Sequence, residues 1–435
     1  MNKIGIRRWL SFIIAGIVGQ IAWAIENMYL NVYVFHCTQD YIFIPIMTAA
    51  SAAVATITTL FMGALSDKLK RRKAFIAFGY ILWGISIIAF AFLEPGSSAS
   101  IVGVGANAAF VSGTLIVIMD CVMTFFGSTA NDAAFNAFVT DNTIDENRGK
   151  VESVLSILPM VSMIIIVVLQ GMLVVENKGW DIFFYVFGGL VLVVGIVCVF
   201  LLPKDHVISN ENRTYFGNIF YGFRPSVIRN NKLLYITFLG FLSFNIAIQI
   251  FFPYFMVYIQ NVLGIVEGNF TITLGVVLVI ACIITVVFGL FMDRIGKNRI
   301  IIPSLLVTAI GALLFFFAKD MIFTIVSGIV LMSGYMVTTA VIGAKIRDYT
   351  PKDETGSLQG IRMIFAVLLP MVTGPYIGEA LFNINAQTYE NEYGKIVLQP
   401  NNFMFLGVIF FLLLAIVPIT ILIIKEREAR EQAAE

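Results

Sequence analysis

The chain has 435 residues, 59% of them hydrophobic and only 13% charged, with a formal net charge of +1 and a mean hydropathy of +0.91. A soluble fold of this length cannot bury so much apolar surface, which excludes a water-soluble globular protein. The near-zero net charge matters less than how the charges divide between two faces, and no nucleic-acid partner is expected.

Apolar runs of about 20 residues recur along the chain, each long enough to cross about 30 Å of hydrocarbon. Twelve are counted, centred near residues 23, 54, 83, 122, 163, 191, 246, 280, 309, 332, 369 and 413. The first is too long for a signal peptide and lacks a clear cleavage site, so it is read as a span. Within it Gly19, Trp23, Glu26 and Tyr33 share one face at about 100° per residue, with Asn27 on its border. A carboxylate beside an indole and an amide is a common way to bind sugars, the ring stacking on Trp while hydroxyls bond to the acid and amide.

The second run leads into Gly63-Ala-Leu-Ser-Asp67-Lys68-Leu-Lys-Arg71-Arg72-Lys73, expected to be a tight turn. Gly63 is expected to let two helices approach closely. Asp67 is placed to accept from a neighbouring helix N-terminus and to pair with an Arg, and the Lys68–Lys73 cluster to anchor the loop to an anionic leaflet. In the fourth run Asp120, Thr124, Gly127 and Asn131 form one polar stripe, and Asp132 with Asn136 a second pair rotated about a third of a turn from it. Asp141 follows, ahead of Arg148. Residues 203–232 read as a linker, either an amphipathic stretch on the inner leaflet or a solvated connection. In the seventh run Asn245 and Gln249 either face a solute or bond helices together, and Pro253 predicts a local break that would free backbone carbonyls. A sizeable outer loop is expected from about Asn383 to Asn401. Cys37, Cys121, Cys198 and Cys282 have no metal spacing and read as small packing residues.

The basic turn returns 226 positions later as Gly289-Leu-Phe-Met-Asp293-Arg294-Ile-Gly296-Lys297-Asn298-Arg299, and Asp141-Asn-Thr returns 207 positions later as Asp348-Tyr-Thr. Two halves with the same loops indicate a parallel repeat: residues 1–202, a linker at 203–232, and residues 233–435. With loops assigned alternately, all of the 28 Lys and Arg except Lys178, Lys319 and Lys395 fall on one side. That places both termini in the cytosol, in a plasma membrane (the inner membrane of a cell that has two).

These repeated loops resemble the signature between helices 2 and 3 of the major facilitator superfamily and its weaker copy between helices 8 and 9. The resemblance covers the whole chain. It implies an all-α membrane protein of twelve transmembrane helices in two pseudo-symmetric six-helix bundles, with substrate bound near mid-membrane. It also implies a cytosolic gate drawn from Gly63, Asp67, Lys68, Arg71, Asp141, Arg148, Asp293 and Arg294, with Arg148 the partner of the motif. Asn131-Asp132-Ala-Ala-Phe-Asn136-Ala-Phe-Val-Thr-Asp141, followed by Arg148, resembles the fourth helix of the glycoside–pentoside–hexuronide:cation symporters, the group of the melibiose permease. In that group acids on helices 1 and 4 bind sugar hydroxyls, which implies Glu26 and Asp120 here. The group's cation site also uses acids on helix 2, and Ile42–Leu65 contains none.

Charges inside hydrocarbon cost several kcal/mol and are functional candidates by default. No Lys or Arg is expected deep in any span, so Glu26, Asp120 and Asp132 lack a buried cationic partner. A carboxylate so placed is neutralised by a proton or a bound cation. The expected function is alternating-access symport of a neutral sugar or glycoside, driven by a proton rather than sodium. Glu26, Asp120 and Asp132 are the coupling candidates. Trp23, Glu26, Asn27, Tyr33, Asp120, Thr124, Asn131, Asn136, Asn245 and Gln249 are the candidate solute contacts. Export of lipophilic cations by proton antiport is the alternative, since Trp23 beside Glu26 also suits a cation. A receptor is less favoured because the tail after Ile424 is short. An enzyme is not expected, because no nucleophile–base or metal constellation occurs, nor is any cofactor, and the absence of a Walker motif argues against ATP-driven pumping. Partners are the small solute and membrane lipids, and a monomer is expected.

Overall fold

A computed structural model describes residues 5–97, 99–143, 145–175, 179–203, 221–351, 355–391 and 393–434. Among them are 12 helices long and apolar enough to cross a membrane. In chain order these are α1 (Ile6–Thr38), α2 (Phe43–Gly63), α3 (Arg72–Phe92), α4 (Asn107–Asp141), α5 (Ile157–Val174), α6 (Gly179–Leu201), α7 (Lys232–Val262), α8 (Gly268–Gly289), α9 (Lys297–Phe316), α10 (Met321–Tyr349), α11 (Gly360–Phe382) and α12 (Met404–Ala429). Helix α2 continues to Leu69 and α12 to Ala434. The chain divides into two compact units, Met1–Arg213 with Glu390–Val397, and Thr214–Tyr389 with Leu398–Glu435. Most of the expected linker, residues 204–220, lies outside the described residues.

Inside each unit the helices meet in the same pairs. In the first, α1 packs on α5 and α6, α2 on α4, and α3 on α4 and α6. In the second, α7 packs on α11 and α12, α8 on α10, and α9 on α10 and α12. The sequence repeat is therefore a repeat of packing, and it extends to the backbone of the basic turn. Lys70 adopts φ 54° between α2 and α3, and Gly296, 226 positions on, adopts φ 94° between α8 and α9. Glycine carries that conformation at no steric cost, while a lysine there is strained.

Apolar side chains on the outside of the helices stay uncovered, Phe78, Phe200 and Phe410 among them. That suits a protein whose outer solvent is hydrocarbon. Helices in such a solvent gain nothing from burying apolar area against each other and rely on close approach instead. Gly84 on α3 and Gly188 on α6 supply it: a Cβ at Gly84 would lie 2.5 Å from the Leu192 nitrogen, and one at Gly188 would lie 2.8 Å from the Gly84 carbonyl. Gly334 on α10 does the same against Thr308 on α9, at 2.6 Å. The repeated glycines of the basic turns do not. Among the described residues, a Cβ at Gly63 would meet only Ala133, at 3.8 Å, and one at Gly289 would meet nothing within 4 Å, so these show no close approach at Gly63.

Two further expectations change. Pro253 lies inside an unbroken helix, Lys232–Val257, so α7 has no break there. The loop between α11 and α12, expected on the outer side, contains a two-stranded hairpin, β1 (Gln387–Glu390) with β2 (Ile396–Gln399).

Several helices carry π-helical segments within their spans, including Ile25–Tyr29 in α1, Ser128–Phe135 in α4 and Ile364–Leu368 in α11. A π segment inserts an extra residue and turns everything beyond it by about 100° relative to a regular helix.

The α3–α6 contact gives a direct stability test. Gly84→Val should lower the detergent melting temperature and the yield of monodisperse protein. Gly189→Val, at a position with nothing within 4 Å, should leave both unchanged. Equal behaviour of the two variants in a thermal-shift measurement would remove the close-approach account.

Candidate functional site

The first unit carries two carboxylates deep in its interior. Glu26 on α1 is 7% exposed and Asp120 on α4 is 1% exposed. Thr124, fully buried and one turn beyond Asp120, donates its hydroxyl to Glu26 Oε1 at 2.9 Å. Ser51 on α2 lies near Asp120, with its hydroxyl donating to the Thr48 carbonyl at 3.3 Å, and Glu26 lies within electrostatic reach of Asp120 and, more weakly, of Asp132. Among the described residues, Glu26 Oε2 and Asp120 Oδ1 have no hydrogen-bond partner. Neither acid joins an ion pair among the described residues. Three spans thus bring two acids and two hydroxyls together with two acceptor oxygens left open. Ser51 is the member that sequence reading missed. Its signal was the run of hydroxyls on the acid-free second span, where Thr48, Ser51, Thr56 and Thr59 are all buried.

The π segment of α1 begins at Ile25, beside Glu26, and splits the face predicted for this helix. Trp23 precedes it, three residues before Glu26, and is half-buried. Tyr33 follows it and is turned away. Its ring packs on Phe184 at 4.7 Å and Trp180 at 5.3 Å, and its hydroxyl donates to the Phe90 carbonyl at 2.7 Å. Tyr33 is therefore a core residue of the α1–α3–α6 contact and not a solute contact. Asn27 donates its amide to the Trp23 carbonyl at 2.8 Å, which patches the helix where the π segment disturbs it.

On α4 the π segment Ser128–Phe135 also breaks the predicted stripe. Asn131 leaves the Asp120–Thr124 line, and both of its amide atoms are used: Oδ1 accepts from Trp23 Nε1 at 3.3 Å and Nδ2 donates to the Tyr80 hydroxyl at 2.8 Å. Asp132 is half-buried and accepts from Ser128 at 3.1 Å, while Asn136 is exposed and donates to the Asp132 carbonyl at 3.0 Å. Asn245 and Gln249 belong to the second unit. Asn245 donates to the Phe241 carbonyl of its own helix at 2.8 Å, and Gln249 packs against Gly374 of α11.

Of the predicted gate residues, the side chains of Asp67, Arg148 and Asp293 lie outside the described residues. Lys68, Arg71 and Arg294 are exposed. Arg72, not Arg71, reaches Asp141, at 3.1 Å, and also donates to Ser66 at 2.5 Å. The reason is local. Arg71 sits in the turn ahead of α3, whereas Arg72 is the first helical residue and is 6% exposed.

The second unit solves the same problem with different residues. Asn298 occupies the repeat position of Arg72, and Asp348, at the repeat position of Asp141, pairs with Lys297 at 2.6 Å. The buried charge pair moves to Lys345 of α10 and Glu426 of α12, 2.8 Å apart, with Asn298 also donating to Glu426 at 2.5 Å. Lys345 is 2% exposed. Lys345 lies near the end of its span, so it does not contradict the expectation that no Lys or Arg lies deep in one, and Glu426 makes the start of the expected tail part of the bundle.

The profile of the Major Facilitator Superfamily matches residues 8–375 and 270–435. A search of curated protein sequences finds no match. Among solved structures, the chain is similar to the nucleoside transporter NupG, with TM-score 0.65 and 12% identity over 95% of this chain and 98% of that one. It is similar to the xylose transporter XylE from E. coli, with TM-score 0.68 and 12% identity over 93% and 95%. A bacterial homolog of the human lysosomal transporter Spinster matches with TM-score 0.68 and 11% identity over 97% of each chain. At these identities the likeness is one of fold.

Buried ion pairs contribute little over an apolar pair of similar volume, yet breaking one by removing a single partner costs about 3–5 kcal/mol. Glu426→Met should therefore lower the melting temperature sharply, and Lys345→Met/Glu426→Met should recover most of the loss. A double variant as unstable as the single one in the same thermal-shift assay would show that the pair is not the unit at work.

Proposed function

The chain belongs to the major facilitator superfamily, and from that premise we propose that it is a proton-coupled symporter of a neutral sugar or glycoside. It is a membrane transporter and not an enzyme. The observation that carries the finer reading is the pair of buried acids, Glu26 holding the Thr124 hydroxyl, each with an acceptor oxygen lacking a partner and neither with a basic neighbour among the described residues. A paired acid would be fixed in its charged form. An unpaired one at this depth alternates between a bound proton when sealed from water and release when a path opens. The same open oxygens accept sugar hydroxyls, and the half-buried indole of Trp23 offers the flat face a pyranose ring stacks on.

The absence of a buried Arg or Lys beside the acids, among the described residues, argues against anionic solutes, which would need one. The solute site in this reading is Trp23, Glu26, Asp120 and Thr124, with Ser51 near Asp120. Glu26 and Asp120 carry the coupling proton, and Asp132, half-buried on the same helix, is a relay toward the basic end. The basic loops lie in the cytosol, as do both termini, and the membrane is the plasma membrane.

Two indoles beside two acids favour one second reading, proton-driven export of a lipophilic cation. The two readings separate in proteoliposomes. Under symport, adding a transported neutral sugar outside makes the external medium alkaline as protons enter with it. Glu26→Gln should abolish that signal and cut uptake by at least about tenfold, the equivalent of about 1.4 kcal/mol. Sugar uptake without proton movement, or sodium-dependent uptake, would overturn the proton reading. Loss of a preloaded lipophilic cation driven by an inward proton gradient would favour export.

A further inference from the structure

We infer that Tyr80, Trp83 and Gly127 are positioning residues that set the indole of Trp23, and that Asn131 belongs with them rather than with the solute contacts. The inference rests on the reading of Trp23 as the solute platform.

The edge of the Trp23 ring is held by a relay whose donors and acceptors run in one consistent direction. Trp23 Nε1 donates to Asn131 Oδ1 at 3.3 Å, Asn131 Nδ2 donates to the Tyr80 hydroxyl at 2.8 Å, and that hydroxyl donates to the Ala15 carbonyl at 2.6 Å. Ala15 lies two turns before Trp23 on the same helix. The relay leaves α1, passes through α4 and α3, and returns to α1, so it fixes the ring against its own backbone. Tyr80 and Trp83, three apart, share one face of α3.

The ring's face is held by packing. Trp83 lies 5.1 Å from Trp23, centroid to centroid, at 60°. Gly127 makes room for both: a Cβ there would sit 2.7 Å from the Trp83 ring and 3.2 Å from that of Trp23. Trp83 is fully buried, and its Nε1–H has no partner. An unsatisfied buried donor is a cost that phenylalanine would avoid. What the indole supplies instead is its larger surface against Trp23.

Held at its edge and on one side, Trp23 remains half-buried, three residues before Glu26, whose Oε2 is buried and has no partner among the described residues. A fixed plane next to an acceptor selects solutes that carry a flat apolar face and a hydroxyl in rigid relation. Cyclic pyranosides have both, whereas flexible acyclic alditols must be ordered first. The positioning residues therefore set the preference for ring sugars over open-chain polyols, although none of them touches the solute.

The test compares methyl pyranosides with alditols in proteoliposomes and measures the near-ultraviolet circular dichroism of the purified, solute-free protein. Tyr80→Phe removes one hydroxyl from the relay. It should raise the half-saturation concentration for pyranosides about fivefold, the value of one hydrogen bond, and leave maximal velocity and alditol uptake within about twofold. Trp23→Phe should do the same, and the Tyr80→Phe/Trp23→Phe double variant should be no worse than Trp23→Phe alone, since both remove one function. In the solute-free protein, Tyr80→Phe and Gly127→Ala should each weaken the exciton couplet of the two indoles. Additive losses in the double variant, or a couplet untouched by both changes, would overturn the inference. If the unaltered protein takes up no sugar, the sugar reading falls and the couplet alone decides the positioning.

Discussion

Inside a hydrocarbon slab no water is on hand to satisfy a loose amide or carbonyl, so a chain that crosses it must keep its backbone bonds within each helix. The rest of this structure follows from that requirement. Twelve spans result among the described residues, and irregular backbone within them takes the form of π segments and of one 3-10 turn, Phe90–Phe92, at the end of α3, in which the helix is disturbed without being broken. The side chains around these segments show how the disturbance is contained. Asn27 donates to the Trp23 carbonyl, Asn31 to that of Asn27, Thr129 to that of Phe125 and Asn136 to that of Asp132. Polar residues in these spans are thus largely occupied by the backbone. They permit the local winding that sets Trp23 and Glu26 on one side of α1 and Tyr33 on another.

The same scarcity of water sorts the buried charges into two kinds. Asp141 with Arg72 in one unit, and Glu426 with Lys345 in the other, sit near the ends of their spans and have partners at hydrogen-bond distance. Their burial is compensated, and each ties helices of its bundle together. The two units reached this end from different repeat positions: Asn298 stands where Arg72 stands in the first copy, and α12 supplies the acid in its place. The need for a compensated charge at that end is shared by both halves, while the residues that meet it are not.

The architecture was legible in the sequence because it depends on quantities a sequence states outright: the length of apolar runs, the sidedness of Lys and Arg, and the return of one turn at a fixed offset. The acids of the site were legible for a related reason, since a carboxylate in an apolar run is conspicuous. Their surroundings were less so. A face drawn at 100° per residue holds only while the helix is regular, and the π segment at Ile25–Tyr29 has no signature in the residues Ile-Glu-Asn-Met-Tyr. Tyr33 therefore looks like a site residue, and Asn131 like a solute contact, until the winding is known. In a cluster of closely spaced basic residues, composition does not tell which one begins the helix, so Arg72 is indistinguishable from Arg71. Lys345 and Glu426 escape notice because each lies near a span end, where a charge is expected. Only their separation in space, 2.8 Å across 81 positions of chain, makes them a pair.

Coupling gives the contrast between the two kinds of acid its meaning. For a carboxylate to exchange a proton during a cycle, its charged and neutral forms must lie within a few kcal/mol of each other, so that opening or closing a water path decides between them. A bound guanidinium or ammonium removes that balance by favouring the charged form. A hydroxyl partner such as Thr124 does not, because a hydroxyl donates to a carboxylate and accepts from a carboxylic acid with equal ease. Glu26 has such a reversible partner, and among the described residues neither it nor Asp120 has a fixed cation. The incompleteness of their hydrogen bonding is therefore what the proposed coupling role requires, and a permanent counter-charge at either acid would be incompatible with that role.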